Sequence, residues 1–377
     1  RQWQGKFQKP VVRLVKSLYG HPEAGAHWEK HLTDILVEHM GGVTLHPIHP
    51  SSFHFPKTGL LLTVYVDDFT LSGPADRHEA FWARLSQKVD LDPPTDLGRV
   101  LGRNHDCFTT KGGRAMSFNM GDYAKQTCDL YISVGGQALK KAPTPFCPDG
   151  SLTEADDEVR GELAGEACKV LMKALWLGRL ARPDIIKPIG DLATQVQKWT
   201  RNCDRQLHRL ICYLYTTPDY RLVGTVSDSG EKLALTLYAD ADFAGCRLSA
   251  KSTTGGYLAL TGPNTFFPLA WVSKKQSCVS RSTTEAECVS LAHCLYQEAL
   301  PIQSLWEDLL GRPISLICHE DNEATIKVIN KGYSPKLRHL ARTHRVNVAS
   351  LHEVCSMPHV QLRYIKTDAQ VADIFTK

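Results

Sequence analysis

Two apolar runs with a pair of carboxylates pinned between them constrain this chain more than any other stretch: Leu60-Leu61-Leu62-Thr63-Val64-Tyr65-Val66, then Asp67-Asp68, then Phe69-Thr70-Leu71-Ser72-Gly73. Runs of this length, rich in β-branched and aromatic residues and closed by glycine, read as two strands of a hairpin. The strands bury and the bend presents Asp67 and Asp68. Adjacent carboxylates repel unless a divalent cation or solvent neutralises them, so the pair reads either as a magnesium site at a phosphoryl-transfer centre or as a solvated turn rich in aspartate.

The length of 377 residues allows two or three domains with their own cores. A formal net charge of +4 permits a nucleic-acid partner without demanding one. The twelve cysteines stand singly, with no C-x-x-C pair, which argues against a disulfide framework or a zinc knuckle. No apolar run reaches the length of a membrane span and none reads as a signal peptide, so no membrane partner is expected. The chain starts at Arg1 without methionine and stops at Lys377 in what reads as a final helix, and a piece of a polyprotein is the expectation.

Arg1, Lys6, Lys9 and Arg13, interleaved with Trp3 and Phe7, suit either a single-stranded nucleic acid or a snorkelling surface segment. Trp28, Leu32, Ile35 and Leu36 recur at helical spacing before Gly41-Gly42. A further helix is expected over Asp76 to Val89, with Phe81, Leu85 and Val89 on its buried face, and another over Asp122 to Tyr131. Three prolines and a glycine between Lys140 and Gly150 mark a linker. The next segment reads as mainly helical, Leu163 to Arg182 and then a helix capped by Asp204 and carrying Leu207, Leu210, Ile211 and Leu214.

The last part carries acids at separated places. Leu233 to Gly245 reads as a strand ending on Asp240 and Asp242, and two β-like runs, Gly256 to Leu260 and Phe266 to Val272, complete a meander. Ser282 opens a helix with Glu285 and Glu287 close behind. Ile314 to His319 reads as a strand leading into Glu320-Asp321-Asn322, and Gln361 to Ile365 as a late strand before a closing helix with Asp373. The order is three strands, helix, strand, helix, strand, helix. Carboxylates converging from such separate elements suit two-metal hydrolysis of a phosphodiester, which no single strand can supply.

Several strings resemble copia-type LTR retrotransposon Pol polyproteins, in the reverse transcriptase and ribonuclease H region. They are Leu14-Val15-Lys16-Ser17-Leu18-Tyr19-Gly20, Tyr65-Val66-Asp67-Asp68, Arg182-Pro183-Asp184-Ile185, Trp271 to Gln276, Ser282 to Glu287, Glu320-Asp321-Asn322 and Ala372 to Lys377, in the family's order. The resemblance implies an α/β (α+β) chain in three parts: a partial reverse-transcriptase palm and thumb over 1–140, a linker and helical connection over 141–229, and a ribonuclease H-like mixed sheet with flanking helices over 230–377. It implies Asp240, Glu287, Asp321 and Asp373 as catalytic ligands of two Mg²⁺ ions, with Mn²⁺ an alternative, and Asp67 and Asp68 as ligands in the polymerase half. Asp240 is preferred to Asp242 as the residue at the strand end, and Glu287 to Glu285 because the buried helix face continues from it.

Nucleic-acid contacts are read at Tyr65 beside the aspartate pair and at Lys274, Lys275 and Arg342, which suit either a hybrid backbone or a solvated face, and at His344, where the family has Thr-Lys-His and where a structural or solvent-exposed histidine is the favoured alternative. The implied partners are an RNA–DNA hybrid, template and primer, and the remainder of the Pol polyprotein. The implied place of work is the cytoplasm, in a virus-like particle, or the nucleus. The family's further palm aspartate would precede Leu14 and is not in this chain, so unaided DNA synthesis is not expected. Cys246 stands where an aspartate is common in the family. A decayed or repurposed copy that binds nucleic acid without catalysis is the alternative.

Overall fold

The computed structural model describes residues 11, 14–45, 49–246 and 248–377. The basic and aromatic residues expected to suit a nucleic acid at the start, Arg1 to Arg13, lie outside the described residues. The chain divides into two compact units, Arg1–Asp96 and Leu97–Lys377.

In the first unit, α1 (Ala24–Asp34) continues as a π-helical turn to His39. Four strands follow, β1 (Val43–Thr44), β2 (Ser52–Phe55), β3 (Leu60–Tyr65) and β4 (Asp68–Ser72), and pair antiparallel in sequence order. The helix α2 (His78–Leu85) completes the unit and is shorter than the expected Asp76 to Val89. Leu60 and Leu62 alternate inward along β3 and join Leu32, Leu36, Phe53, Phe55, Phe81 and Leu85 in one core. Each such leucine contributes about 2 kcal/mol of burial.

The second unit is organised on a nine-stranded sheet. Its elements are, in order, β5 (Arg99–Val100), β6 (Arg103–Thr110), β7 (Gly113–Asn119), α3 (Gly121–Ser133), α4 (Glu154–Asp157), α5 (Ala167–Leu180), α6 (Ile186–Ala193), α7 (Arg201–Thr216), β8 (Leu222–Val226), β9 (Ala234–Asp242), β10 (Thr253–Gly262), β11 (Thr265–Lys275), α8 (Thr283–Cys294), α9 (Leu300–Leu310), β12 (Ser315–Glu320), α10 (Glu323–Lys331), α11 (Leu340–Thr343), α12 (Val348–Cys355) and β13 (Val360–Tyr364). The spatial order is β13-β12-β9-β10-β11-β8-β7-β6-β5. β9, β10 and β11 form an antiparallel meander, while β12 and β13 run parallel to β9 after helical crossovers. This is a mixed sheet with flanking helices, as the resemblance implies, with α8, α10 and α12 packed on it through Leu235, Leu237, Leu291, Leu316, Ile329 and Leu351.

The compact units do not follow the three segments read from the sequence. Residues 97–140 share a unit with the last part because β8 bridges the sheet: Met116 of β7 pairs with Gly224, and Thr225 pairs with Phe266 of β11. The helices α3, α5 and α7 form a second core around Tyr131, Leu171, Leu177, Leu207 and Leu214. Asp204 does not cap α7. Thr200 does, accepting from the Cys203 N–H, while the Asp204 carboxylate accepts from the Glu162 and Leu163 N–H groups and from Trp199 Nε1. It fastens the preceding loop rather than its own helix. The expected closing helix is instead two short 3₁₀ turns, Thr367–Ala369 and Val371–Phe375. Among the described residues, no helix is long and apolar enough to cross a membrane.

Candidate metal centre

Asp240 lies two residues inside the end of β9, not at its end, because the strand continues to Asp242. It faces Gly255 across the β9–β10 ladder. A Cβ on Gly255 would stand 2.5 Å from Thr376 Cγ2 and 2.9 Å from the Ala372 carbonyl oxygen. Only glycine therefore lets the Val371–Phe375 turn lie flat on β10, where Phe375 is fully buried and its carbonyl accepts from Ser273 Oγ at 2.6 Å. That seat brings the Thr376 hydroxyl to Asp240 Oδ2, to which it donates. Asp373 comes with it, and its Oδ1 pairs with Lys377 Nζ at 2.7 Å.

Asp321 follows the last residue of β12, whose parallel register with β9 sets His319 opposite Tyr238. Two residues further on, Asp321 reaches Asp240. The Thr367 hydroxyl donates to Asp321 Oδ2 at 2.8 Å, and Asn322 caps α10 by accepting from the Thr325 N–H. Glu287 enters from α8, whose start is fixed by Ser282 Oγ accepting from the Glu285 N–H at 3.2 Å. One carboxylate oxygen each from Asp240, Glu287 and Asp321 lies within 4.8 Å of the others.

The electrostatics follow from this crowding. Burial, with the charges of Asp373 and Asp321, pushes Asp240 up to about 6 against the opposing Thr376 hydrogen bond. Burial, then Glu320, Asp240 and Asp321, raise Glu287 far above the usual carboxylate range. Glu320 is wholly buried and is raised in the same way; its Oε1 accepts from the Asn322 N–H. Glu287 Oε2 and Glu320 Oε2 are buried and accept no hydrogen bond among the described residues. An all-oxygen set with an unpartnered buried oxygen and like charges in excess fits a hard divalent cation. Nothing in the sequence singles out Glu320, since a carboxylate beside a candidate ligand carries no signal of its own.

The two pairs left open by spacing part in space. Asp242 stands outside the cluster; its carboxylate accepts from the Thr253 N–H and lies 3.9 Å from Lys187 Nζ. Glu285 is turned to His339 and His344, at 3.1 and 3.5 Å.

Asp67 and Asp68 lie in the first unit. Tyr65 pairs with Asp68 across a two-residue turn in which Val66 takes φ +55°. A β-branched residue in that region is strained, and Trp28 Nε1 helps hold it by donating to the Val66 carbonyl at 3.2 Å. Tyr65, Asp67 and Asp68 are exposed, and the two aspartates line a cavity of about 480 Å³ with Trp28, Phe69 and Trp82. Among the described residues no third acid, histidine or cysteine joins them in a metal-sized group. Lys274, Lys275 and His344 line one groove of about 390 Å³ in the second unit; Arg342 is exposed but not in its wall.

The strand order brings acids from β9, α8 and the residue after β12 together. No family model matches the chain. Over 97% of its length the chain is 28% identical to the retrovirus-related Pol polyprotein from transposon RE1 of Arabidopsis thaliana, and 27% identical to that from transposon RE2. It is 23% identical, again over 97%, to the transposon Ty1-DR5 Gag-Pol polyprotein of Saccharomyces cerevisiae. The resemblance to copia-type retrotransposon Pol polyproteins carried by the motifs thus extends along nearly the whole chain. The chain spans about a quarter of these relatives, 24%, 24% and 21% of their respective lengths. Among solved structures, a ribonuclease H1 isolated from compost by a metagenomic approach aligns with 38% of this chain and 92% of its own, at 16% identity and a TM-score of 0.28.

Proposed function

We propose that the second unit hydrolyses the RNA strand of RNA–DNA hybrids with two divalent cations, Mg²⁺ or Mn²⁺, as part of a retrotransposon Pol polyprotein. The observation that carries this reading is the meeting of Asp240, Glu287 and Asp321 within 4.8 Å, with the Asp373 turn beside them. When bound, the cations supply an activated water and neutralise charge at the scissile phosphate. Asp240, Glu287, Asp321 and Asp373 would hold them. Thr376 orients the Asp240 carboxylate by its hydrogen bond. Burial keeps Glu287 and Glu320 favouring their protonated forms until a cation outweighs the proton. Lys274, Lys275 and Arg342 would meet the hybrid backbone by charge and shape rather than by sequence, whereas the His344 side chain is 1% exposed and sits within the groove wall.

In the first unit, Asp67 and Asp68 would hold a cation at a polymerase centre with template and primer beside Tyr65. The pair has no third ligand among the described residues, which favours a unit that binds nucleic acid without synthesis on its own. The working place would be a cytoplasmic particle or the nucleus, in company with the remaining Pol segments. The test is strand-labelled substrate: hybrid cleavage confined to the RNA strand with Mg²⁺ supports the reading, and equal cleavage of duplex DNA refutes it. Template-dependent nucleotide incorporation that is lost in Asp67→Asn would overturn the reading of the first unit.

A further inference from the structure

Glu285 is buried, 1% exposed, yet it stands outside the metal centre although only two residues from Glu287. Its Oε2 accepts from the Arg281 N–H at 3.0 Å and lies 3.1 Å from His339 Nε2, and its Oε1 lies 3.5 Å from His344 Nε2. An isolated buried carboxylate is costly. Here the hydrogen bond it accepts is local, from the Arg281 N–H, and the other polar neighbours, His339 and His344, come from a segment more than fifty residues downstream.

That segment has little regular structure to hold it. Pro335–Leu337 is one 3₁₀ turn and α11 has four residues, lengths that do not sustain themselves in water. Leu337 and Leu340 are buried anchors, and Cys278 Sγ donates to the Thr343 carbonyl at 3.0 Å. Arg345, next to His344, takes φ +58°, a conformation that persists in a residue with a side chain only where its surroundings impose it. His344 and Arg345 then form the wall of the groove that faces Lys274 and Lys275. The side chain of His344 is 1% exposed, and neither of its ring nitrogens, nor His339 Nε2, has a hydrogen-bond partner among the described residues, so the approach to Glu285 is a close packing of polar groups rather than a hydrogen bond. The groove wall therefore depends on a contact made behind it.

We infer that Glu285 is a positioning residue: by holding His339 and His344 it fixes the 335–346 segment against the start of α8, and so shapes the basic groove that receives the hybrid backbone. This rests on the hybrid-cleavage reading for its consequence, but not for its geometry. Glu285 touches neither the cation ligands' shared space nor the groove itself. Its loss is expected to weaken substrate binding while leaving the cleavage step in place.

The experiment compares wild type, Glu285→Leu, Glu285→Gln and His339→Leu in the full chain by amide hydrogen exchange and by hybrid-cleavage kinetics in Mg²⁺. Opening a local tie without global unfolding should cut protection of residues 338–346 by about tenfold in Glu285→Leu. KM for the hybrid should rise about tenfold with kcat within about twofold, the pattern of lost binding rather than lost chemistry. Glu285→Gln, which keeps an acceptor and the shape, should recover most of both. Unchanged protection in Glu285→Leu, or a fall in kcat at constant KM, would overturn the inference. Should Glu285→Leu not fold, His339→Leu removes the tie from its other side and decides by the same readouts. A wild type that cleaves no hybrid would sink the proposed function, and the exchange comparison alone would then decide the tie.

Discussion

Glu285 and Glu287 stand two residues apart on α8 and serve different parts of the molecule. Glu287 joins Asp240 and Asp321 within 4.8 Å, whereas Glu285 lies against His339 at 3.1 Å. Two positions along an α-helix turn a side chain by about 200°, so one short stretch feeds both a metal-sized acid cluster and the wall of the neighbouring groove.

Crowded acids should make the metal-free chain less stable than it needs to be. Asp240 is raised from 3.8 to about 6, chiefly by burial. A carboxylate whose folded pKa exceeds its unfolded one costs stability as pH rises through that interval, and the full cost is present above about 6. Asp240→Asn is therefore expected to raise Tm in EDTA at pH 7.5 by a few degrees. It should also abolish the stabilisation that millimolar Mg²⁺ gives the wild type. Thermal melts with and without Mg²⁺ check both.

Gly255 offers a way to disturb the centre without touching an acid. Gly255→Ala places a Cβ where Thr376 and the Ala372 carbonyl now lie, and should lift the turn that carries Asp373. Overpacking of this kind costs about 1–3 kcal/mol. Hybrid cleavage should fall by more than about tenfold at saturating substrate while the far-ultraviolet circular dichroism stays as in wild type.

Cys246 should be the most readily alkylated thiol near neutrality. Burial alone would raise it, but Lys275 and the backbone N–H groups of Ser249 and Leu248 outweigh this and bring it down to about 7. Because the thiolate is the nucleophile, alkylation should rise with pH through about 7, and Lys275→Met should move that midpoint upward. Peptide mass spectrometry of iodoacetamide-treated protein distinguishes it from the exposed Cys107 and Cys168.

The second unit should not divide at the boundary read near residue 230. Trp271 Nε1 donates to the Gly178 carbonyl at 2.9 Å, and Ile186 of α6 packs with Tyr257 and Phe375. A chain of residues 97–377 is expected to unfold in one cooperative transition, and residues 230–377 alone to melt well below it. Calorimetry of the two settles the point.

What the sequence disclosed, and what it withheld, follows from range. Hydrophobic alternation marks β9, and the acids of β9, α8 and β12 stand beside strong strand and helix signals. Alternation could not separate Asp240 from Asp242, since residues two apart on a strand share a face; the Thr376 hydroxyl and the register with β12 do. Asp204 has the chemistry of a helix cap, but Thr200 takes that place and Asp204 bonds residues some forty positions away. The joining of β7, β8 and β11 rests on pairings between distant residues, Ser117 with Val223 about a hundred positions on and Thr225 with Phe266 about forty, to which no local pattern points. The final turn reads as helical by composition, but packing of Phe375 and Ala372 on β10 tightens it into 3₁₀ geometry.

The most direct measurement is cleavage of an RNA–DNA hybrid, labelled separately on each strand, by the purified chain in Mg²⁺ beside Asp321→Asn and an EDTA control. The expected result is cuts in the RNA strand alone, absent with EDTA and reduced at least about a hundredfold in Asp321→Asn. A folded wild type that leaves the hybrid intact, or cleavage that Asp321→Asn retains, would contradict it.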